Sequence, residues 1–584
     1  MNIKEAFPIL SWLPNYNKNW LRGDISAGLT VGVMLIPQGM AYAYIAGLPP
    51  VYGLYAAIVP LIVYAIFGTS RQLAVGPVAM VSLLTATAIG SFEGLSTSEY
   101  ISYAILLAFI VGIIQFLIGL FRLGFVVNFL SHPVISGFTS AVALIIGIGQ
   151  LKNLLDIDLE RTHYVHEMLI NVFQNIENIN WVSLLIGILG IAIIIGAKKI
   201  NKSLPGQIFA VVFGILVVSL FNLGDGKNAI SIIKEIPSAL PTFKIPEFSF
   251  TTFEILLPLA LTIAMLSFME SIAVAKAIQR KHRDYKIIPN QELVALGLAN
   301  ILGSFFQSYT SAGGFGRTAV NDQAGAKSGL AALISASLIV LTLLFLTPLF
   351  YNLPKAILAS IIMVAVFGLI DYKEPLHLLK SNVTDFWMLV STFLATLALG
   401  VEIGIGVGVI LSLAMVLFKT TRPHTAELAR IPNTHFYRNI MRFDNLEIKD
   451  DVLIYRYDAQ IFFANSDYFR DKLYDYEREK NNKLKLLIID GESINNIDST
   501  GIHTLEEIVT DFNSRGIAVF FTGIKGPVRD KLNSSGFSKK VKEEYFFISI
   551  QEAINYFEAE QQNKNVDIKY QKYTQQVNKY GLNS

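Results

Sequence analysis

"GGFGRTAVND", residues 313–322, lies between two long apolar stretches, and how it is read decides the fold. A helix meant only to span lipid has no use for three glycines, an arginine, Thr318 and Asn321. Gly313, Gly314 and Gly316 disfavour helix, so a helix is expected to start near Arg317. A matching break stands in "LAVGPVAM", residues 73–80. Gly76-Pro77 stops whatever precedes it, and proline favours the first helical position. Residues 73–76 are therefore expected to be extended, with a helix beginning near Pro77.

The surroundings of both breaks are those of a membrane. The chain has 584 residues, of which 53% are hydrophobic and 16% charged, against roughly 25% charged in soluble domains. Residues 25–70 carry no Asp, Glu, Lys, Arg or His, enough for two helices of the roughly 20 residues that cross a bilayer. Ten further runs, from 100–121 to 403–418, are also free of formal charge. One such run could be a buried core helix; a series of them makes an α-helical polytopic membrane protein. Fourteen spans are expected, with short or broken ones near 77–91 and 314–325. Segment 225–250 is expected to be external, amphipathic and surface-lying. No cleavable signal peptide is expected. With no cysteine, disulfides and thiol chemistry are excluded.

Loop charges give an orientation. Lys4, Lys18, Arg22, Arg71, Arg122, Lys198, Lys199, Lys202, Lys276, Arg280, Lys281, Arg283 and Lys286 fall on the side of the N-terminus, which is read as cytoplasmic. The opposite loops hold Glu93 and Glu99, and then Asp156, Asp158, Glu160, Glu167 and Glu177 against Lys152 and Arg161. An even number of spans puts the C-terminus on the cytoplasmic side too.

Composition changes after Lys419. "VLIYRYD" (452–458), "LKLLIID" (484–490) and "IAVFFTG" (517–523) read as strands, and 465–480, 500–515 and 526–535 as helices. Such alternation indicates an α/β domain. The expected organisation is a cytoplasmic segment 1–23, a transmembrane domain 24–420, a linker 421–443, an α/β domain 444–560 and a polar tail 561–584.

Under this topology the two breaks run in opposite directions, so the helices starting near Pro77 and Arg317 point their N-termini at each other near the midplane. Helix N-termini carry unpaired N–H groups and about half a positive charge, which together make an anion site. Discontinuous helices in inverted repeats are a known way to build a transporter. The competing reading is that the glycines only allow close helix packing. Arg317 adds a full charge, and a lone arginine in hydrocarbon faces a cavity or a partner. Glu270, in "LSFMESIAVA" (266–275), is the partner in sight and the single ionisable residue of 255–275. Burial penalises a carboxylate's charge, so Glu270 is a candidate for proton coupling as well as for a structural pair. In "LIPQGMAYAY" (35–44), Pro37 is expected to break the helix. Gln38 and Tyr42 share a face four residues apart and can donate hydrogen bonds to an oxyanion; packing and interfacial roles are the alternatives.

"LIPQGMAYAYIAGLPPVYGLYAAIVP" (35–60), "QLAVGPVAM" (72–80) and "GGFGRTAVNDQAGAKS" (313–328) strongly resemble the sulfate permease family of anion transporters. The resemblance implies 14 spans as two inverted repeats of seven, divided into core and gate, with a cytoplasmic STAS domain. It places a small inorganic anion between Pro77-Val78-Ala79 and Phe315-Gly316-Arg317, with Thr318 in the same set and Gln38, Tyr42 and Glu270 lining the pocket. Family members often carry Ser before the arginine, where this chain has Gly316. The resemblance also implies a homodimer. "IDSTG" (497–501) looks like the loop phosphorylated in anti-sigma factor antagonists, which makes Asp498 and Ser499 regulatory candidates; a plain helix N-cap is the alternative.

The leading functional expectation is secondary transport of sulfate with protons by an elevator-type movement. The nearest rivals are a sodium-coupled bicarbonate importer, for which the family resemblance implies Asp where Glu270 stands, and an anion exchanger. A rival of another class is a membrane-anchored STAS scaffold. No catalytic triad, metal-ligand spacing or phosphate loop is present, so an enzyme is not expected. No cofactor or nucleic-acid partner is expected either.

Overall fold

A computed structural model describes residues 6–562 apart from 91, 93, 126–130, 158–164, 201–204, 226–228 and 283. Lys4, Glu93, Asp158, Glu160, Arg161, Lys202 and Arg283 of the orientation argument, and nearly all of the 561–584 tail, lie outside the described residues. The chain forms two compact units, 1–413 and 414–584.

The described residues hold eight helices long and apolar enough to cross a membrane, the last of them Ile403–Thr421, and four shorter apolar ones. The first, α1 (Lys18–Ile45), is capped by Asn17, whose side chain accepts from the Asn19 N–H. Pro37 lies inside it, and the helix runs on. The expected break is therefore corrected. Proline costs one ladder bond, and the tight packing of residues 34–43 on every side holds the helix through that loss. This packing is close enough to need glycine. A Cβ at Gly53 would lie only 1.9 Å from the Gly39 carbonyl oxygen, so backbone meets backbone there.

Segment 229–249 has neither helix nor regular strand. It is strapped down through Ile230, Ile232 and Ile236, which are buried, and through the Ser231 N–H on Asp156 at 2.8 Å. Beyond Pro237 it is mostly exposed.

The two expected breaks are real and meet. β1 (Val75–Gly76) pairs antiparallel with β2 (Ala312–Gly313), Val75 opposite Gly313 and Gly76 opposite Ala312. Each strand leads directly into a short helix, α2 (Ala79–Gly90) after β1 and α4 (Phe315–Gln323) after β2. Between them in sequence runs α3 (Phe250–Gln279). Extended chain at membrane depth must have its polar groups satisfied inside the protein. Here the ladder does part of this and buried side chains the rest. The Gly314 N–H donates to the Ala74 carbonyl, 3.0 Å. The Ala74 N–H donates to Thr318 Oγ1, 3.0 Å. The Gly313 N–H donates to Ser271 Oγ, 2.8 Å, and Asn300 exchanges bonds with Ser311.

The second unit is a six-stranded sheet in the order β4-β3-β5-β6-β7-β8: β3 Thr425–Arg430, β4 Tyr437–Asn439, β5 Val452–Tyr457, β6 Leu486–Asp490, β7 Ala518–Thr522 and β8 Phe546–Phe547. β5 to β8 are parallel, while β3 is antiparallel to both β4 and β5. Helices α5 (Ser466–Glu479), α6 (Ser499–Ser514), α7 (Gly526–Ser534) and α8 (Ile550–Gln561) cover it. β5, β6 and β7, and α5 to α7, match their expected segments closely. The expected linker 421–443 is instead part of the fold, since it supplies β3 and β4. Glu427 of β3 is buried there by an ion pair to Lys480, 2.6 Å, with side-chain exposures of 5% and 7%.

Candidate functional site

The N-terminal ends of α2 and α4 line one cavity of about 350 Å³. Val78 lies just before α2 and Ala79 begins it; from α4 come Phe315, Gly316 and Arg317; α1 adds Gln38 and Tyr42, and α3 adds Glu270. Lys198 and Gln207 from two other helices, and Gly368 just after a third, also line it. Pro77 and Thr318 are buried beside the cavity and are not among its lining residues. Thr318 is occupied as a strut. Its hydroxyl accepts from Ala74 and donates to the Gly314 carbonyl at 2.7 Å. So the structure brings eight of the ten expected transport residues to one surface and puts two behind it.

The polar atoms on that surface are unusual. Buried atoms without a hydrogen-bond partner among the described residues include Gln38 Oε1, Glu270 Oε2, and Nε and Nη2 of Arg317. Arg317 itself is 3% exposed. Buried polar groups are as a rule paired, and an orphaned one costs about 1–3 kcal/mol, more when charged. Four such atoms, two donors on Arg317 and two acceptors on Gln38 and Glu270, belong to residues that line one cavity, beside two helix N-termini with their unpaired N–H groups.

The structural ion pair between Arg317 and Glu270, the alternative reading, does not form; each keeps an orphaned atom instead. The reason is local. The guanidinium folds back over the start of its own helix, where a Cβ at Gly314 would come within 2.7 Å of both Cζ and Nη2 of Arg317. Gly314 is thus the seat of the arginine head, and any side chain there would evict it. A Cβ at Gly316 would meet nothing within 4 Å, so the room left by the missing Ser hydroxyl opens on the cavity side.

Several supports had no distinct signal in the sequence. Asp24, fully buried, accepts from the Lys327 and Ser328 N–H groups, from Ser328 Oγ and from Tyr16 OH. It therefore ties α1 to the chain that follows α4. Glu292, also buried, accepts from Tyr64 OH and from the Thr69 and Ser70 backbone, fixing the chain that leads into β1. Asn321 donates to the Gln72 carbonyl at 2.8 Å. The available clue was a polar residue at the edge of an apolar run, which in a membrane signals a built contact.

In the second unit Asp498 caps α6, accepting from the Gly501 N–H at 2.8 Å and from the Phe463 N–H at 2.9 Å. Ser499 follows it at the surface.

Two discontinuous helices crossing at a short ladder, with their positive ends on a common cavity, define a helical membrane transporter. Residues 21–392 match the sulfate permease family and residues 445–553 the STAS domain. The chain is 37% identical to the chloroplastic sulfate transporter 4.1 of Arabidopsis thaliana, with 98% of this chain and 85% of that one covered. It is 33% identical to the high affinity sulfate transporter 2 of Stylosanthes hamata, over 95% of this chain and 86% of that one. Murine Slc26a9, an anion transporter solved in the inward-facing state, superposes with a TM-score of 0.88 at 26% identity, covering 95% and 94% of the two chains. The transmembrane domain of the cyanobacterial bicarbonate transporter BicA shares the fold, with a TM-score of 0.59 at 24% identity, covering 68% of this chain and 98% of that one. The chain belongs to the sulfate permease family: a multi-pass helical membrane transporter with a C-terminal STAS domain, and not an enzyme.

Proposed function

We propose that this chain carries a small inorganic oxyanion, sulfate in the first place, across a cell membrane together with protons. The observation that supports this most is the convergence of the orphaned Arg317 nitrogens with Gln38 Oε1 and Glu270 Oε2 on the cavity between the α2 and α4 N-termini. In this reading the guanidinium and the helix ends hold the anion. Tyr42 donates a hydrogen bond to it, and Gln38 does so once its amide is turned. Glu270 takes the proton. An arriving anion repels the Glu270 carboxylate and favours its protonated form, so anion and proton bind together, a reciprocal coupling. Sulfate transport by the plant relatives named above supports the choice of anion.

The rest of the architecture follows the same reading. Fourteen spans comprise the eight long and four short apolar helices, the 289–304 segment and α4, arranged as two inverted repeats of seven. The core carrying α1 to α4 moves elevator-fashion against the gate. The protein works in the bilayer as a homodimer with both termini cytoplasmic. Asp498 and Ser499 are proposed as a regulatory point of the STAS domain.

The test is uptake of labelled sulfate and of labelled bicarbonate into proteoliposomes, under an inward proton gradient or a sodium gradient. Sulfate accumulation driven by protons is expected. Bicarbonate uptake that needs sodium, or uptake that needs only a counter-anion inside, would replace this reading with the importer or the exchanger. Because the sheet begins at Thr425, a truncation after Thr421 removes the whole STAS fold. It should lower transport rate or surface expression while leaving anion binding measurable; loss of all binding in an inserted truncation would show that the site needs the second unit.

A further inference from the structure

A second cavity, of about 320 Å³, lies away from the transport site. Its walls include Ser11 and Trp12 of the N-terminal segment, Thr69 and Arg71 from the chain before β1, and Tyr285 and Lys286 from the chain after α3. The span Pro50–Phe67 ends just before the first group of loop residues, and the helix Pro289–Ser304 begins just after the second. The cavity therefore sits within a few residues of two span ends. At about 1.5–3.5 Å per residue that is the depth of lipid headgroups.

Its chemistry suits that depth. Trp12, Tyr16 and Trp20 stack edge to face in series, and aromatic rings of this kind mark the membrane interface. Phe7, Leu10, Leu13 and Leu21 are 42, 38, 52 and 42% exposed. Phe7 packs on Phe67, at 5.2 Å between ring centroids, so the apolar rim is continuous with the end of a span. The polar wall carries two cations. The Arg71 guanidinium is held between Trp20 and Tyr285, 5.6 and 5.2 Å from their ring centroids. Asp284 takes only its Nη1, at 2.7 Å. Lys286 has no ion-pair partner among the described residues. Arg71 and Lys286 against Asp284 leave one net positive charge.

We propose that this cavity binds the phosphodiester headgroup of an anionic phospholipid, with Arg71 and Lys286 on the phosphate and the acyl chains along the Phe7–Leu13 rim. One net positive charge matches one phosphodiester. The apolar rim explains why the ligand is a lipid and not free phosphate. The bound headgroup would join the N-terminal segment to the loops that lead into β1 and out of α3, which support the transport cavity from behind.

The experiment is native mass spectrometry of the full-length protein in detergent, titrated with dioctanoyl phosphatidylglycerol. A cation at the membrane surface is worth about 1 kcal/mol toward an anionic lipid. Lys286→Ala should therefore weaken binding about fivefold, and Arg71→Ala with Lys286→Ala roughly 25-fold. Dioctanoyl phosphatidylcholine should bind several-fold more weakly, and millimolar inorganic phosphate should not displace the glycerol lipid. Sulfate binding at the transport cavity should be unchanged in Lys286→Ala, which separates this result from the transport reading. Equal binding of phosphatidylglycerol by Lys286→Ala and the unmodified protein would overturn the proposal. So would equal binding of phosphatidylcholine, which would mean an unspecific apolar annulus, or displacement by phosphate, which would mean a free-anion site. Lys286 is an exposed side chain, so its variant decides the matter even if removing Arg71 prevents folding.

Discussion

The two half-helices solve the same backbone problem with opposite surpluses. α2 begins at Ala79 with no charged residue and no orphaned polar atom of its own at the cavity. α4 begins at Phe315 and places Arg317, with two unpartnered nitrogens, in the same cavity. Both starts are held by one two-residue ladder. The difference separates a scaffold from a ligand group. The α2 end contributes only its backbone and the partial charge of its axis, whereas the α4 end contributes a buried charged side chain with two unpartnered nitrogens.

That asymmetry can be attacked directly. The largest effect is expected from Arg317→Ala, which removes the full charge. A charge-assisted contact contributes about 1.5–3 kcal/mol, so anion affinity should fall tenfold or more in a protein that still folds. Unchanged affinity by isothermal titration would make Arg317 a structural residue and erase the contrast between the two ends. Glu270→Gln comes next. It keeps the shape and mimics the protonated acid, so binding should survive while accumulation driven by a proton gradient is lost. Uptake that still scales with outside pH at fixed inside pH would move coupling elsewhere. Thr318→Val tests the ladder. It leaves the Ala74 N–H buried and unpaired, at a cost of about 1–3 kcal/mol. Thermal stability should drop while anion affinity changes less than in Arg317→Ala; the reverse ranking would put Thr318 in the binding set. The smallest effect belongs to Pro77→Ala. Since α2 starts only at Ala79, affinity should stay within about twofold and stability should fall by about 0.4–1 kcal/mol through chain entropy. A loss rivalling Arg317→Ala would show that the α2 end is more than a scaffold.

Much of this was legible from local chemistry. Glycine and proline announced both breaks, and apolar runs announced the spans. The strands 452–457, 486–490 and 518–522 lie in continuous buried runs, which is how central parallel strands read. What escaped depended on partners far away in sequence. "TAELAR" at 425–430 fell in the expected linker, and only Lys480, more than fifty residues later, makes Glu427 a buried strand residue. Pro37 suggested a break because the packing that carries α1 through it is tertiary. A pair between Arg317 and Glu270 stayed open as an alternative because charge alone does not reveal that Gly314 offers the guanidinium a nearer seat. Thr318 faces the ladder and not the cavity because the Ala74 N–H, just before β1, had to be satisfied.

The smallness of the ladder also bears on direction. Two residue pairs, braced by Thr318, Ser271 and Asn321, clamp the two positive ends to each other. If the core moves as one body, that clamp travels with its cargo unaltered. The intrinsic grip on the anion is then the same at both membrane faces. Any inequality between loading and unloading must come from what the cup is turned towards: on the present face, a wall bearing Lys198 and Gln207. Selectivity would be a property of the moving part and vectorial bias a property of the stationary one, so the two could be altered independently.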